Sequence, residues 1–411
     1  MADAPRIVQF AMRRSGPEKM SDARRDMTVS RLVRTAQSCA IDPRIAVREL
    51  HESLNQPDIE LVLFFCSSRY DLDVLGDELR RRFGQTQVVG CSSAGEIGPK
   101  GYREHSIVGV SFPTGPFMAV TARLDRLGGF DAMRDSEVVQ SQLTQLLTHD
   151  RAAALSNRCA LLLIDGLSMR EERVAHALQG ILGPIPLVGG SAGDDLRFRA
   201  TSVYHDGRFH AESAVLTLLA TNAPMTLLKT QHFRAGSERL VVTAADSDRR
   251  IVKELNGQPA AQAYAELLGV DASELTPDLF ITSPLIVMID NSIFVRSVQR
   301  TDPDGSLTFY CAIEEGMVLR RAHSIDLVSN LTQSFTDAGL SVGDPQLVIG
   351  YDCVLRRLEV QRRGLDSPVN DVFRRNNVVG FATYGEQFRG MHINQTFTGL
   401  AIGMPRGDKN V

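Results

Sequence analysis

Ser191 lies in the run Gly189-Gly190-Ser191-Ala192-Gly193, which matches the G-x-S-x-G spacing that sets a hydrolase nucleophile on a strained strand-to-helix turn. That chemistry also needs an amphipathic helix straight after the serine, then an acid and a histidine later in the chain. The residues after Gly193 are "DDLRFRATS", charged and poorly suited to a helix. Two other loops carry related sequence, "VVGCSSAGEI" (88–97) and "VVGFATYGEQ" (378–387), with Ser92 or Ser93 and Thr383 in place of the serine. A loop that recurs while its side chains drift points to a backbone role. The chain is therefore expected not to be an enzyme, with hydrolysis through Ser191 as the alternative.

The same loops suit ligand binding, because glycine beside serine and alanine lets a ligand approach free N–H groups. Neither G-x-x-x-x-G-K-[ST] nor G-x-G-x-x-G occurs in them, so the nucleotide-phosphate signatures are missing. Acids follow each loop: Glu96, then Asp194 and Asp195, then Glu386. They disfavour an anion and suit an ammonium, which makes an amino-acid-like metabolite a reasonable ligand. The candidate contacts are Gly90, Cys91, Ser92 and Glu96 in the first loop, Gly189, Gly190, Ser191 and Asp194 in the second, and Glu386 in the third. The plainer alternative is that these loops only turn the chain, with the acids facing water or capping helices. Cys91 and Cys353 are candidate metal ligands or oxidation sensors if their thiols ionise readily. Burial as small apolar residues is the alternative for both.

Bulk properties narrow the class. With 411 residues the chain exceeds one ordinary core, and a net charge of −4 gives no reason to expect nucleic-acid binding. Arginines at 80–82 and in "VLRRLEVQRRG" (354–364) read as solvated helix faces. Six cysteines lack any CxxC pair, no apolar run spans a bilayer and no secretory h-region begins the chain. A reduced, cytoplasmic protein without membrane insertion is the expectation.

The loops sit in a repeating frame. "LVLFFCSS" (61–68) reads as a buried strand, and "YDLDVLGDELRRRF" after it carries Leu72, Leu75, Leu79 and Phe83 on one helix face. Strand and glycine loop (88–97) follow, then the strand "SIVGVSF" (106–112). "ALLLIDGL", "REERVAHALQGIL", "LVGGSAGDDL" and "SAVLTLLA" repeat that order between 160 and 220. "LVIGYD", "CVLRRLEVQRRGL", "VVGFATYGEQ" and "TFTGLAIGM" repeat it again from 347. An α/β fold of repeated strand–helix–strand units with layered sheets follows. Between the second and third units, "NGQPAAQAYAELLG" (256–269) predicts a short helix. "LIVMIDNSIFVRSV" and "LTFYCAIEEGMVL" predict an antiparallel meander with turns at Asp-Asn and Asp-Gly.

Four of these stretches, in this order, resemble the FIST family, bacterial sensory proteins with an N-terminal and a C-terminal FIST domain. They are "VLFFCSSRYDLDVLGDELRRRFGQTQVVGCSSAGEI", "LVGGSAGDD", "LNGQPAAQAYAELLG" and "VVGFATYGEQFRGMHINQTFTGLAI". The two-domain division expected from it is an extension at 1–29, an N-terminal domain at 30–250, a C-terminal domain at 251–403 and a tail at 404–411. The resemblance implies a small-ligand sensor that acts on a separate signalling partner, a histidine kinase or a diguanylate cyclase.

One branch of the family, the NosP-type proteins, is described as binding haem and sensing nitric oxide. On that implication haem b is the expected cofactor, held non-covalently because CxxCH is absent. His392, beside Met391 and Phe388, is then the candidate iron ligand, Arg389 the partner of a propionate and Tyr384 a pocket wall. Asn394 opens the N-Q-T segment, which many family members precede directly with histidine; here Ile393 intervenes. His205 and His210 flank an Asp-Gly turn in "YHDGRFH" and are expected at the surface of a hairpin.

Overall fold

The computed structural model describes residues 31–289 and 292–405. The expected extension (1–29), the Asp290–Asn291 turn and residues 406–411 of the tail lie outside the described residues.

One pattern is laid down three times. The first unit runs β1 (Arg34–Ser38), α1 (Pro43–Leu54), β2 (Ile59–Ser67), α2 (Leu72–Phe83), β3 (Gln87–Ser93), a hairpin of β4 (Glu96–Gly98) and β5 (Gly101–Arg103), then β6 (Ile107–Pro113). The second runs β7 (Phe117–Leu124), α3 (Ala132–Thr148), α4 (Asp150–Ala153), β8 (Asn157–Ile164), α5 (Glu171–Leu182), β9 (Leu187–Ser191), a hairpin of β10 (Val203–His205) and β11 (Arg208–His210), then β12 (Ala214–Thr221). A leading strand β13 (Met225–Thr230) opens the third unit, and an insertion interrupts it at once. The insertion comprises β14 (Phe233–Asp246), β15 (Ile251–Leu255), β16 (Gln258–Pro259), α6 (Ala260–Leu268), α7 (Pro277–Thr282), β17 (Leu285–Ile289), β18 (Ser292–Arg296), β19 (Val298–Thr301), β20 (Leu307–Phe309) and β21 (Val318–Ser324). The third unit then resumes as α8 (Leu327–Val342), β22 (Leu347–Cys353), α9 (Val354–Arg362), α10 (Asp366–Arg375), β23 (Val378–Thr383), a hairpin of β24 (Glu386–Phe388) and β25 (Met391–Ile393), and β26 (Phe397–Ile402).

Local chemistry sets the boundaries. Asp42 caps α1 by accepting from the N–H groups of Arg44 and Ile45, with Pro43 at the first helical position, and Asp71 caps α2 through Val74 N–H. Left-handed backbone recurs at equivalent places in the repeat. It lies between the last helix and the second strand at Gly84, Gly183 and Asn377 (φ 58°, 55° and 54°) and precedes the closing strand at His105, Glu212 and Gln395 (φ 56°, 45° and 52°). Three unlike side chains in the same unfavourable conformation show that the turn geometry is imposed by the fold.

Each unit builds a sheet of the same order: leading, closing, first and second strand, then a hairpin. First and second strands pair in parallel, as an intervening helix requires, and the closing strand pairs antiparallel with the first. The hairpin always comes from another unit. β10 pairs with β3, β4 with β23, and β24 with β9, so the three units exchange hairpins in a closed cycle. The inner faces of the three sheets share one apolar core, in which Phe65 and Phe381 lie 4.5 Å apart; the outer faces lie under the helices. Burial on both faces explains why the strands read as continuous apolar runs.

The insertion is a nearly closed antiparallel meander around its own core of Tyr264, Phe280, Phe294 and Phe309. Ile393 of the exchanged hairpin β24–β25 also packs into that core. β14 and β15, on either side of residue 250, pair with one another. At the neck, Ile325 N–H donates to His232 O (2.8 Å), and the His232 ring is 2.7 Å from Glu359. Next to it, fully buried Arg356 donates from Nε to Asp352 (2.9 Å). The α9 arginines are thus not all solvated as expected, because Arg356 points under the helix to compensate a buried acid. His205 is likewise buried rather than at the surface. Its hairpin has the expected turn, with left-handed Asp206 and Gly207, but lies against β3, and Nε2 is 3.0 Å from Thr121 Oγ1.

Candidate functional site

The three glycine loops converge and bond to one another. Ser191 N–H donates to Gly385 O (2.9 Å), and Tyr384 N–H to Ser191 O (3.2 Å). Gly193 N–H donates to Ser92 O (3.0 Å), and Asp195 N–H to Ser93 O (3.3 Å). Ala94 N–H donates to Ala382 O (3.1 Å), and Ala382 N–H to Gly95 O (2.7 Å). Glycine is required for this crossing: a Cβ on Gly193 would lie 2.9 Å from Ala94 N. The backbone groups that suggested a ligand cradle are largely spent on the loops themselves. Gly90 and Cys91 sit within β3 opposite Tyr204 and Val203, and Gly189 and Gly190 sit within β9 opposite Gln387 and Glu386. Ser92 exchanges bonds with Ser202, its N–H donating to Ser202 O and its Oγ accepting from Ser202 N–H. Cys91 and Cys353 are core residues, and burial pushes both thiols well above their usual range.

The acids after the loops have separate fates. Glu96 is fully buried against the Ser93 hydroxyl and the N–H and hydroxyl of Ser106. Glu386 repeats this with Thr383 Oγ1 (2.6 Å) and the N–H and hydroxyl of Thr396. Burial raises both carboxyls to about 8, so each is predominantly neutral at pH 7. They latch a loop to a closing strand, and an ammonium would have to displace those bonds. Asp194, the equivalent residue in the second unit, accepts instead from Phe198, Arg199 and Ala200 N–H (2.8, 2.6 and 3.0 Å) and from the Tyr384 hydroxyl. Burial opposes its ionisation, but these bonds prevail and hold it below the usual carboxylate range.

From Ser191 a polar line runs to the insertion. Gln387 Nε2 donates to Ser191 Oγ (2.8 Å) and approaches His392 Nδ1 at 3.2 Å. The serine faces an amide where hydrolysis needs a base. His392 is buried, which pulls its pKa down to about 4 and keeps the ring neutral. With Nδ1 accepting from Gln387, the ring hydrogen belongs on Nε2, the reverse of a metal-bound imidazole, whose second nitrogen donates. A Cβ on Gly385 would fall 2.1 Å from His392 Cε1 and 2.5 Å from Nε2, so backbone covers the edge that iron would occupy. In this arrangement the residues around His392 do not fit a haem. Tyr384 stacks on Phe198 (centroids 4.6 Å apart), and Arg389 is exposed at the β24–β25 turn, with its guanidinium 5.9 Å from the Phe388 ring centroid.

The unspent polar groups gather where β24–β25 and the segment after it meet the insertion and the start of α5. Arg250 binds Glu171 (2.7 Å) and Glu172 (2.6 Å), and Glu172 accepts Ala312 N–H (2.7 Å). Arg296, 9% exposed, donates only to Val295 O (3.2 Å) and has no acidic partner among the described residues. Its charge acts on both His392 and Cys311, which places all three in one neighbourhood. Arg296 Nε, Ser297 Oγ, Gln387 Oε1, His392 Nε2, Asn394 Oδ1 and Gln395 Oε1 are buried without a hydrogen-bond partner among the described residues. Of this set the sequence reading singled out His392 and Asn394. Arg296 had a signal, as the one charge in the apolar run "LIVMIDNSIFVRSV" after the Asp-Asn turn; Gln387 and Gln395 had none beyond their neighbours.

No curated protein matches the chain. Family models match it as a FIST N domain over residues 60–258 and a FIST C domain over residues 260–389, the first reaching through β13 into the insertion. Among the described residues no helix is long and apolar enough to cross a membrane. The hairpin cycle and the inserted meander are therefore the framework of a sensory protein, and the chain belongs to the FIST family.

Proposed function

We propose that this protein is a non-enzymatic receptor for an amino-acid-like metabolite, bound where the third unit meets the insertion. The observation that carries the reading is the set of six buried, unpartnered polar atoms there, including the Nε of an arginine without an acid. Leaving such groups unmatched costs about 1–3 kcal/mol each, which a complementary ligand would recover. Arg296 suits a carboxylate. The amide oxygens of Gln387, Asn394 and Gln395 suit an ammonium, in place of the latched Glu96 and Glu386. The signal passes to a separate cytoplasmic partner, a histidine kinase or a diguanylate cyclase, by the family's mode of action.

Thermal-shift screening of the purified chain against amino acids tests this. A ligand at a hundred times its Kd adds about 2.7 kcal/mol, a clear rise in Tm, and Arg296→Gln should abolish it. A screen without any shift, or a shift unchanged in Arg296→Gln, refutes the reading. Haem with nitric oxide as the signal is the competing reading that the family branch implies, although the hydrogen on His392 Nε2 and the Gly385 backbone leave iron no open position there. A Soret band on haem reconstitution that His392→Ala removes would replace the amino-acid reading.

A further inference from the structure

The face formed by the loops of the first two units is a second surface, distinct from the ligand junction. Ile41 is 94% exposed, and Leu196 and Phe198 are 39% and 40% exposed. The last two project from backbone that disfavours them, with φ of 63° and 51°, at about 1–2 kcal/mol each. The loop keeps this form because Asp194 holds the N–H groups of Phe198, Arg199 and Ala200. That strain leaves Leu196 and part of Phe198 in water, with one face of Phe198 stacked on Tyr384.

These loops are joined into one surface. Ser67 and Ser68 hydroxyls donate to Asp195 (3.0 and 2.9 Å), and the Tyr70 hydroxyl donates to Ala40 O (2.8 Å) beside Ile41. A hollow of ≈ 230 Å³ opens between Ile41, Arg69 and Tyr70. Three arginines on it are unpaired: Arg69, Arg197 and Arg199 are exposed, and their guanidinium groups have no hydrogen bond or ion pair among the described residues. The acids of the second-unit loops are turned inward: Asp194 is buried, Asp195 is bonded as above, and Asp165 accepts Leu167 and Glu212 N–H (2.9 and 2.6 Å). Asp42 and Asp71 of the first unit are exposed but face the N-termini of α1 and α2 as caps.

We infer that this face docks an acidic segment of a protein partner that carries at least one large apolar anchor. The anchor enters the hollow beside Ile41 and Tyr70, and carboxylates meet Arg69, Arg197 and Arg199. A concave hollow on fixed loops suits a protein segment better than a bilayer, which favours a continuous amphipathic helix. Phe198 stacks on Tyr384 of the third loop, so the face is in contact with the segment that leads to the ligand junction.

Selection of a random peptide display library on the full chain tests the inference. The recovered peptides should be rich in Asp and Glu around Leu or Phe. A synthetic copy of one should lose about tenfold or more in affinity for the double variant Arg197→Glu, Arg199→Glu, a loss of about 1.4 kcal/mol. Ile41→Ser should weaken it separately, and circular dichroism of both variants should match the parent, since the altered side chains are exposed. No selected peptide, peptides without acids, or equal binding to the charge variant overturns the inference. So does co-sedimentation with phosphatidylserine vesicles that the same arginine changes abolish, which would make the face a membrane site.

Discussion

Replacing Glu96 by glutamine tests whether this buried carboxyl is held as the neutral acid. Ser93 has one hydroxyl hydrogen, and it is committed to Cys66 O at 2.9 Å. The bond between Ser93 Oγ and Glu96 Oε1 must then take its hydrogen from the carboxyl, while Oε2 accepts the N–H (3.0 Å) and hydroxyl (2.8 Å) of Ser106. A glutamine amide reproduces that set, NH2 toward Ser93 and carbonyl toward Ser106. Burial raises Glu96 to about 8, against the opposing effect of the Ser106 hydroxyl and N–H. The folded chain therefore keeps a proton that the unfolded chain, titrating near 4.5, has released. Stability falls as pH rises through that interval, by about 1.4 kcal/mol per pH unit, and levels off above about pH 8. Between about pH 6.5 and 7.5 the gap between Glu96→Gln and the parent should grow by about 1 kcal/mol in the variant's favour. Guanidinium melts at the two pH values measure it. Glu386→Gln should add a similar increment, since Glu386 is raised to the same value. Parent and variant curves that stay parallel across this window would refute the neutral-acid argument.

Four further outcomes follow from the geometry. Gly385→Ala puts a methyl 2.1 Å from His392 Cε1 on backbone at φ 153° and should cost about 1–3 kcal/mol in a denaturant melt; stability equal to the parent would show that the ring has room to move. Arg356→Leu strands Asp352, 0% exposed, and should cost about 3–5 kcal/mol, read as a lowered Tm. His392→Phe should fold, because Tyr102 and Phe209 stand at the same place in the other two hairpins. It should also remove acid sensitivity, since a ring held near 4 and free near 6.5 drains up to about 3 kcal/mol as pH falls through that range; an unchanged acid limb in the variant counts against this. Ser191→Ala should leave any activity on activated esters unchanged and cost about 1 kcal/mol for the lost Gln387 bond; an esterase activity that vanishes with it would return the serine to catalysis.

The strand–helix–strand units were legible because a strand covered on both faces leaves a continuous apolar run and its helix a stripe, as in "LVLFFCSS" and Leu72–Leu75–Leu79–Phe83. The exchanged hairpins were not. Strands of three residues such as Glu96–Gly98 and Gly101–Arg103 are too short for a period of two to register, and nothing local records which unit receives them. The leading strand β13 was hidden for a related reason, since the insertion puts nearly a hundred residues between it and α8. At the site, the glycines were read correctly as places of close approach, but what approaches is another loop. The unpartnered arginine emerged only when Glu171 and Glu172 were seen to face Arg250.

The cyclic exchange has a bearing on how such a chain can arise and be cut. A unit alone carries a hairpin with no strand of its own to lie against and a second strand with an open edge. Three separate copies would satisfy each other only as a closed ring, so a single-unit gene would encode an obligate homotrimer, and fusion would make that ring one chain. Cleaving at 259, where the two family matches part, separates β9 from the hairpin that completes it and β23 from β4. Neither half is then a self-sufficient folding unit, and the two should be recovered together or not at all.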